Sequence, residues 1–273
     1  MGDPIHLHPT AALAERVLLP GDPGRALLLA QELLDQPVMF NHHRGLWGYT
    51  GVAADGGPLT IQSTGMGGPS AAIVIAELID LGARWLIRTG TCGAIDSALT
   101  LGQLLVVTEA IAADGTSRAL GADGTVAPDP VLTAALAEQD DPDASAAGDP
   151  NPSAAGDPNA RAAGDPDASA ADARGPATGP VASTDLFYDA RDQEQAWRAA
   201  GVRAVEMESA TLFALARRRG VAAASVLIVT DLLAMGGDRA RIDAEALPEA
   251  ERRLGRLAAG ALKPYSDAEA PAA

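Results

Sequence analysis

Cysteine is almost absent from this chain of 273 residues. Cys92 stands alone, so no intrachain disulfide and no metal–thiolate cluster is available. Its plainest reading is a small filler side chain. Lysine is nearly missing too. Lys263 is the only one among 20 basic residues, the rest being arginine, a compositional bias and not a mechanism. No run of 18 apolar residues occurs, which excludes a membrane-spanning helix of ordinary length. The start, Met1-Gly-Asp-Pro-Ile-His6, has neither the basic region nor the apolar core of a secretory signal. A soluble, cytoplasmic protein is expected. Positive charge is also in deficit. A net charge of −16 argues against nucleic acid and membrane surfaces as partners, since phosphate backbones are held by clustered lysine and arginine. Such a field does not steer an anion inward, so any bound phosphate must be captured by locally placed arginines.

Length and a 47% hydrophobic content are enough for a full core, and one domain over residues 1–273 is expected. One stretch differs. From Asp140 to Pro180 an eight-residue unit rich in Asp, Pro, Ala and Gly repeats, as in Pro142-Asp-Ala-Ser-Ala-Ala-Gly-Asp149, and eight aspartates face only Arg161 and Arg174. Without large apolar side chains it cannot repay its ordering entropy. Residues 140–180 therefore read as a disordered low-complexity loop inserted into the domain, and closing such a loop costs little.

Elsewhere strand and helix patterns alternate. Val17–Leu19, Leu59–Gln62, Trp85–Ile87, Gln103–Thr108, a segment near Val181 and Ser225–Thr230 read as strands. Ala26–Leu34, Pro69–Leu81, Pro130–Glu138, Met207–Arg219 and Pro248–Leu262 read as helices, several opened by proline and stopped near glycine. The expected fold is α/β with three α/β/α layers around a mainly parallel or mixed sheet.

Two glycine-rich segments, Ser63-Thr-Gly-Met-Gly-Gly-Pro-Ser70 and Arg88-Thr-Gly-Thr-Cys-Gly-Ala94, flank the helix at Pro69–Leu81. Both read as loops at the carboxyl ends of parallel strands, where ligands collect. Glycine lets backbone N–H groups approach a ligand, a helix N-terminus adds a positive dipole end, and arginine presents a fork suited to phosphate. Arg88, expected where its strand ends, marks a small-anion site. Further polar groups fall at other strand ends: Gly21-Asp-Pro-Gly-Arg25, Thr230-Asp231 and Val205-Glu-Met-Glu-Ser-Ala210. Each has a structural alternative. Arg25 reads equally as a solvated residue at a helix start, Glu206 and Glu208 as acids complementing a helix N-terminus, and Asp231 as an N-cap.

Together, Gly21-Asp-Pro-x-Arg25, His43-Arg-Gly45, the two glycine segments, Val205-Glu-Met-Glu-Ser209 and Thr230-Asp231 resemble the bacterial hexameric purine nucleoside phosphorylases, with uridine phosphorylases as close kin. The resemblance covers nearly everything except the repeat insert and the final forty residues. It implies a phosphorylase/hydrolase-like fold and phosphorolysis of purine ribonucleosides and 2′-deoxyribonucleosides to free base and pentose 1-phosphate, in nucleoside salvage. Inorganic phosphate is then a co-substrate, with no metal and no cofactor.

By resemblance, phosphate falls to Gly21, Arg25, Arg88 and Thr91, with Arg44 from a neighbouring subunit. Ribose falls to Glu208 and Met66, with His6, or its rival His8, reaching across from the neighbour. The base falls to Cys92, Gly93, Phe187, Val205, Glu206, Met207 and Asp231. Asp231 and Arg88 are the catalytic pair: Asp231 must carry a proton when it acts on the leaving purine, which calls for a raised pKa in an apolar site. Where the family often has an arginine assisting this aspartate the chain has Ala244, leaving Arg239 or Arg241 to substitute. The shared residues imply a homo-oligomer, by resemblance a hexamer built as a trimer of dimers. Uridine phosphorylases carry a glutamine and an arginine shortly after the Phe-Tyr pair; Phe187-Tyr188 is followed here by Asp189-Ala-Arg-Asp192, and purine is favoured. A nucleosidase using water, or a non-catalytic nucleoside-binding protein, are the remaining alternatives.

Overall fold

The computed structural model describes residues 4–141, 175–188, 191–233 and 239–265. In its first half lie β1 (Arg16–Leu19), α1 (Pro23–Leu33), β2 (Leu34–Asn41), β3 (Gly48–Ala53), β4 (Pro58–Gln62), α2 (Gly68–Asp80), β5 (Trp85–Ala94), β6 (Leu104–Ala112), α3 (Gly115–Ala119), β7 (Thr125–Val126) and α4 (Pro130–Ala137). After the repeat segment come β8 (Ala177–Ser183), α5 (Arg191–Ala199), β9 (Ala204–Glu206), α6 (Ser209–Arg219), β10 (Ala222–Leu233), β11 (Arg239–Arg241) and α7 (Leu247–Ala261). Local chemistry sets the helix starts. Asp22 caps α1 by accepting from the Gly24 N–H, with Pro23 as first residue, and Asp129 caps α4 through the Val131 and Leu132 N–H groups, with Pro130 following.

The eleven strands form one mixed sheet. β1 lies between β4 and β5, parallel to both, so β4, α2 and β5 make a βαβ crossover with one strand inserted between its two arms. Beyond β5 the sheet curls: β5, β10, β6, β8 and β9 pair in turn and β9 returns to β5, closing a small barrel. At the other edge β4, β3 and β2 run antiparallel.

Helices cover both faces. Val74, Ile75 and Leu78 of α2 and Leu212, Phe213 and Leu215 of α6 are buried in one apolar layer. Leu29 of α1, Leu132 and Leu136 of α4, and Leu254 and Leu257 of α7 are buried in the other. Trp197 of α5 sits in a third, smaller cluster with Ile95, Ala182 and Val202. The three-layer α/β/α expectation holds.

Several local expectations are corrected. β5 does not end at Arg88; it continues through the glycine segment to Ala94 because β10 pairs with it all the way, Asp231 opposite Gly93 and Leu232 opposite Ala94. Arg88-Thr-Gly-Thr-Cys-Gly-Ala94 is thus strand, not loop. β6 likewise runs on to Ala112, held by β8. α6 begins at Ser209, since Glu206 is still in β9. The strand at Ser225–Thr230 is not the last, because β11 folds back on its end. The hairpin strands β2 and β3 carried no clear period-2 signal, as five consecutive β2 residues face solvent.

Residues 142–174, the body of the repeat insert, lie outside the described residues. Asp141, at its start, is buried and pairs with Arg253 of α7 at 2.9 Å and 2.5 Å. Gly175, at its end, lies beside the carbonyls of Ala137 and Gln139. Among the described residues no helix is long and apolar enough to cross a membrane.

Candidate active site

A cavity of about 1000 Å³ opens at the carboxyl ends of β1, β5 and β10. From the turn after β1 comes Gly21 and from the first turn of α1 Arg25; from β5, Arg88, Thr91, Cys92 and Gly93; from β9 and the approach to α6, Val205, Glu206, Met207 and Glu208; from β10, Asp231. Met66 and Phe187 also reach its wall. The structure therefore gathers the sequence-predicted residues in one place, except Arg44 and His6.

Arg88 lies at the centre, buried on β5. Its Nε donates to Glu206 Oε2 at 3.0 Å and its Nη2 lies 2.5 Å from Glu208 Oε2. Gly90 makes the room: a Cβ there would come within 2.7 Å of the Arg88 guanidinium carbon. Burial works against the charge on Arg88, but Glu208 and Glu206 outweigh it and raise its pKa. Held at Nε and Nη2, the fork keeps Nη1 to offer a ligand.

Glu206 is saturated. It accepts from Arg88, from the Ser183 hydroxyl, and from the N–H groups of Glu208 and Ser209 at the start of α6. Its carboxylate, expected at the base, is thus spent on bracing Arg88 and the first turn of α6. Glu208 accepts from the Gly67 N–H, at the N-terminus of α2. Burial raises the Glu208 pKa, Arg88 counters, and Glu206 adds to the rise. Arg25 is not a solvated helix-start residue: it is buried, with its Nε donating to Glu251 Oε1 at 2.8 Å.

At the other end, β10 carries a bulge between Val229 and Asp231, which re-aims the side chain that follows it. Asp231 lies within the strand and is no N-cap. Its Oδ2 accepts from the Thr230 hydroxyl at 2.9 Å, and Arg241, its cross-strand partner on β11, brings Nε to 2.9 Å from Oδ1. That Nε–H is not aligned for a hydrogen bond, so Oδ1 has a charge contact and no hydrogen bond among the described residues. Of the two arginines open to this role, Arg241 pairs with Asp231, whereas Arg239 stacks over the Phe187 ring at 5.1 Å.

Three residues of α5, Glu194, Gln195 and Arg198, also line this end. The sequence does not announce them, because the mostly polar run Arg191–Ala199 lacks a clear apolar stripe. The available signal was Trp197, a lone buried aromatic in a charged stretch. Cys92 is buried, its Sγ donates to the Ile228 carbonyl at 3.5 Å, and burial pushes its thiol pKa up. A filler role fits.

Arg44 and His6 lie outside the cavity. Arg44 is exposed in a short turn with φ of 58°, and His6 binds Glu77 through Nδ1 at 2.7 Å. His8, its rival, stacks on His43 at 3.8 Å.

Two buried arginines paired with carboxylates, and an aspartate lining the same cavity, form a site that can hold an anion beside a polar organic ligand. The chain belongs to the phosphorylase superfamily, whose family model matches residues 15–263. The match thus extends into α7, beyond the resemblance read from motifs. The chain is 32% identical over 238 residues to a guanosine phosphorylase of Halorubrum lacusprofundi, covering 86% of each. It is 34% identical to a DeoD-type purine nucleoside phosphorylase of Jannaschia sp. over 245 residues, covering 88% of each. Among solved structures, a uridine phosphorylase of Vibrio fischeri superposes with a TM-score of 0.71 at 25% identity, covering 92% of both chains.

Proposed function

We propose that this protein cleaves purine nucleosides by phosphorolysis. Phosphate attacks C1′ below the ring while the C1′–N bond breaks through an oxocarbenium-like transition state, as in glycoside cleavage. Arg25, Arg88, Thr91 and the Gly21 backbone hold the phosphate, and Arg44 of a second copy adds a third guanidinium. Glu208 accepts from the 2′ and 3′ hydroxyls, with Met66 against the sugar and His6 of the second copy at the 5′ hydroxyl. Asp231 delivers a proton to N7 of the departing base. The proton of hydrogen phosphate balances the one gained by the base, so the products are neutral base and pentose 1-phosphate. Phosphate is the only co-substrate required, and no metal or organic cofactor takes part. The site is completed by a neighbour, and a hexameric assembly in the cytoplasm fits this reading.

The observation that carries the purine reading is Asp231, buried at the end of β10 with Arg241 against one oxygen. A carboxyl group there suits the N7 of a purine. One observation favours a second reading, uridine: Gln195 and Arg198 line the same end, a glutamine and arginine pair suited to pyrimidine carbonyls. A panel of inosine, guanosine, adenosine and uridine in phosphate buffer decides. Purine nucleosides are expected to be cleaved with kcat/KM at least about tenfold above uridine, a margin of about 1.4 kcal/mol. Turnover of uridine alone overturns the assignment.

A further inference from the structure

Glu251 lies outside the cavity, on the final helix, yet it grips one of the two buried arginines of the phosphate site. We infer that Glu251 is a positioning residue for phosphate, acting through Arg25. The inference rests on the phosphate reading of that site.

The geometry begins with helix packing. α7 approaches α1 closely because residue 255 is glycine; a Cβ there would stand 2.5 Å from Leu29 Cδ2. One turn earlier on each helix, Glu251 meets Arg25, and Glu251 Oε1 accepts from Arg25 Nε at 2.8 Å. Both side chains are nearly buried, 8% and 11% exposed. On its other side Arg25 Nη1 donates to the Thr89 carbonyl at 3.4 Å. Two fixed contacts on a planar fork determine its orientation. Nη2, with both of its hydrogens, is left for a ligand, and Arg25 lines the cavity whereas Glu251 does not.

Arg88 is treated in the same way. Glu206 and Glu208 hold its Nε and Nη2, so each arginine is clamped by carboxylates on one edge and presents the other. The two clamps differ in origin: Glu206 and Glu208 belong to the ligand cavity, and Glu251 reaches in from the opposite helical layer. Without Glu251, a long rotamer-rich side chain is free to leave the geometry that binds an oxyanion, and phosphate binding falls while nucleoside contacts remain.

The experiment compares Glu251→Ala, Glu251→Gln and Arg25→Ala with the parent enzyme, varying phosphate and nucleoside separately. Glu251→Ala is expected to raise KM for phosphate about tenfold, the scale of one hydrogen bond to a charged group, with KM for nucleoside within about twofold. Glu251→Gln keeps an acceptor at the same place and is expected to restore phosphate KM to within about threefold of the parent. In the Arg25→Ala background, Glu251→Ala should add nothing further. Equal changes in both KM values, an unchanged phosphate KM in Glu251→Ala, or additive effects with Arg25→Ala overturn the inference. If Arg25→Ala itself leaves phosphate KM unchanged, it is the phosphate reading of the site that fails.

Discussion

Arg88 Nη2 lies 2.5 Å from Glu208 Oε2, and the same guanidinium donates through Nε to Glu206. The proposed phosphate and ribose sites therefore share one buried charge network. Removing one partner of such a pair costs more than the pair contributes, because the remaining charge stays buried and uncompensated. Arg88→Ala is expected to lower folding stability by about 3–5 kcal/mol and to abolish saturation by phosphate. Denaturant melts and phosphate titration check both parts, and an unchanged melt with normal phosphate saturation would contradict the network.

Acidity follows from the same contacts. Burial raises the Glu208 pKa above its ordinary 4.5, Arg88 opposes the rise and Glu206 reinforces it. The folded state therefore holds this proton more tightly than the unfolded chain. Its contribution to stability is present below pH 4.5 and is lost as pH rises through the folded value. Ribose binding needs the ionised form, so the acid limb of kcat/KM for nucleoside should fall above 4.5. Glu208→Gln should remove that limb and lower kcat/KM at neutral pH; a limb that persists in the glutamine variant belongs to another group.

Asp231 and Arg241 predict a different pattern. Asp231→Asn should lower kcat on inosine by about 10²–10⁴, the usual range for a general acid. A nucleoside methylated at N7 already carries the positive charge a proton would supply, so the variant should cleave it at close to parental rate. Arg241 is 69% exposed, and exposed ion pairs contribute only about 0–1 kcal/mol. Arg241→Ala should accordingly leave the melting temperature unchanged while lowering kcat. Equal loss on both nucleosides in Asp231→Asn would show that Asp231 does not act as the acid.

The repeat insert offers a test of tolerance. Its flanks lie near each other, Asp141 held by Arg253 of α7 and Gly175 beside the carbonyls of Ala137 and Gln139 after α4. Replacing residues 143–172 by a short Gly-Ser linker should leave melting and turnover nearly intact, since loop closure depends weakly on length. Loss of either would assign the insert a structural or functional role.

Much of the site was legible in the sequence because strand ends write their polar residues next to apolar runs. Arg25, Arg88, Glu208 and Asp231 each follow a strand or glycine signal, and the structure brings all four to one cavity. Less legible was whatever depends on strand pairing. The extension of β5 through its glycines comes from β10 alongside it, and no local pattern encodes that. Glu251 was invisible for a similar reason: a glutamate in an amphipathic helix reads as solvated until Gly255 brings α7 against α1. In α5 the charged stretch hid the one apolar anchor, Trp197, and with it Glu194, Gln195 and Arg198.

Phosphate, and not water, is the proposed nucleophile. The most direct measurement is release of free base from inosine or guanosine in phosphate-free buffer and across a phosphate titration. Base release is predicted to require phosphate, to saturate with it, and to give one pentose 1-phosphate per base. Equal release without phosphate, with free pentose as the product, would make water the nucleophile and overturn the phosphorylase reading.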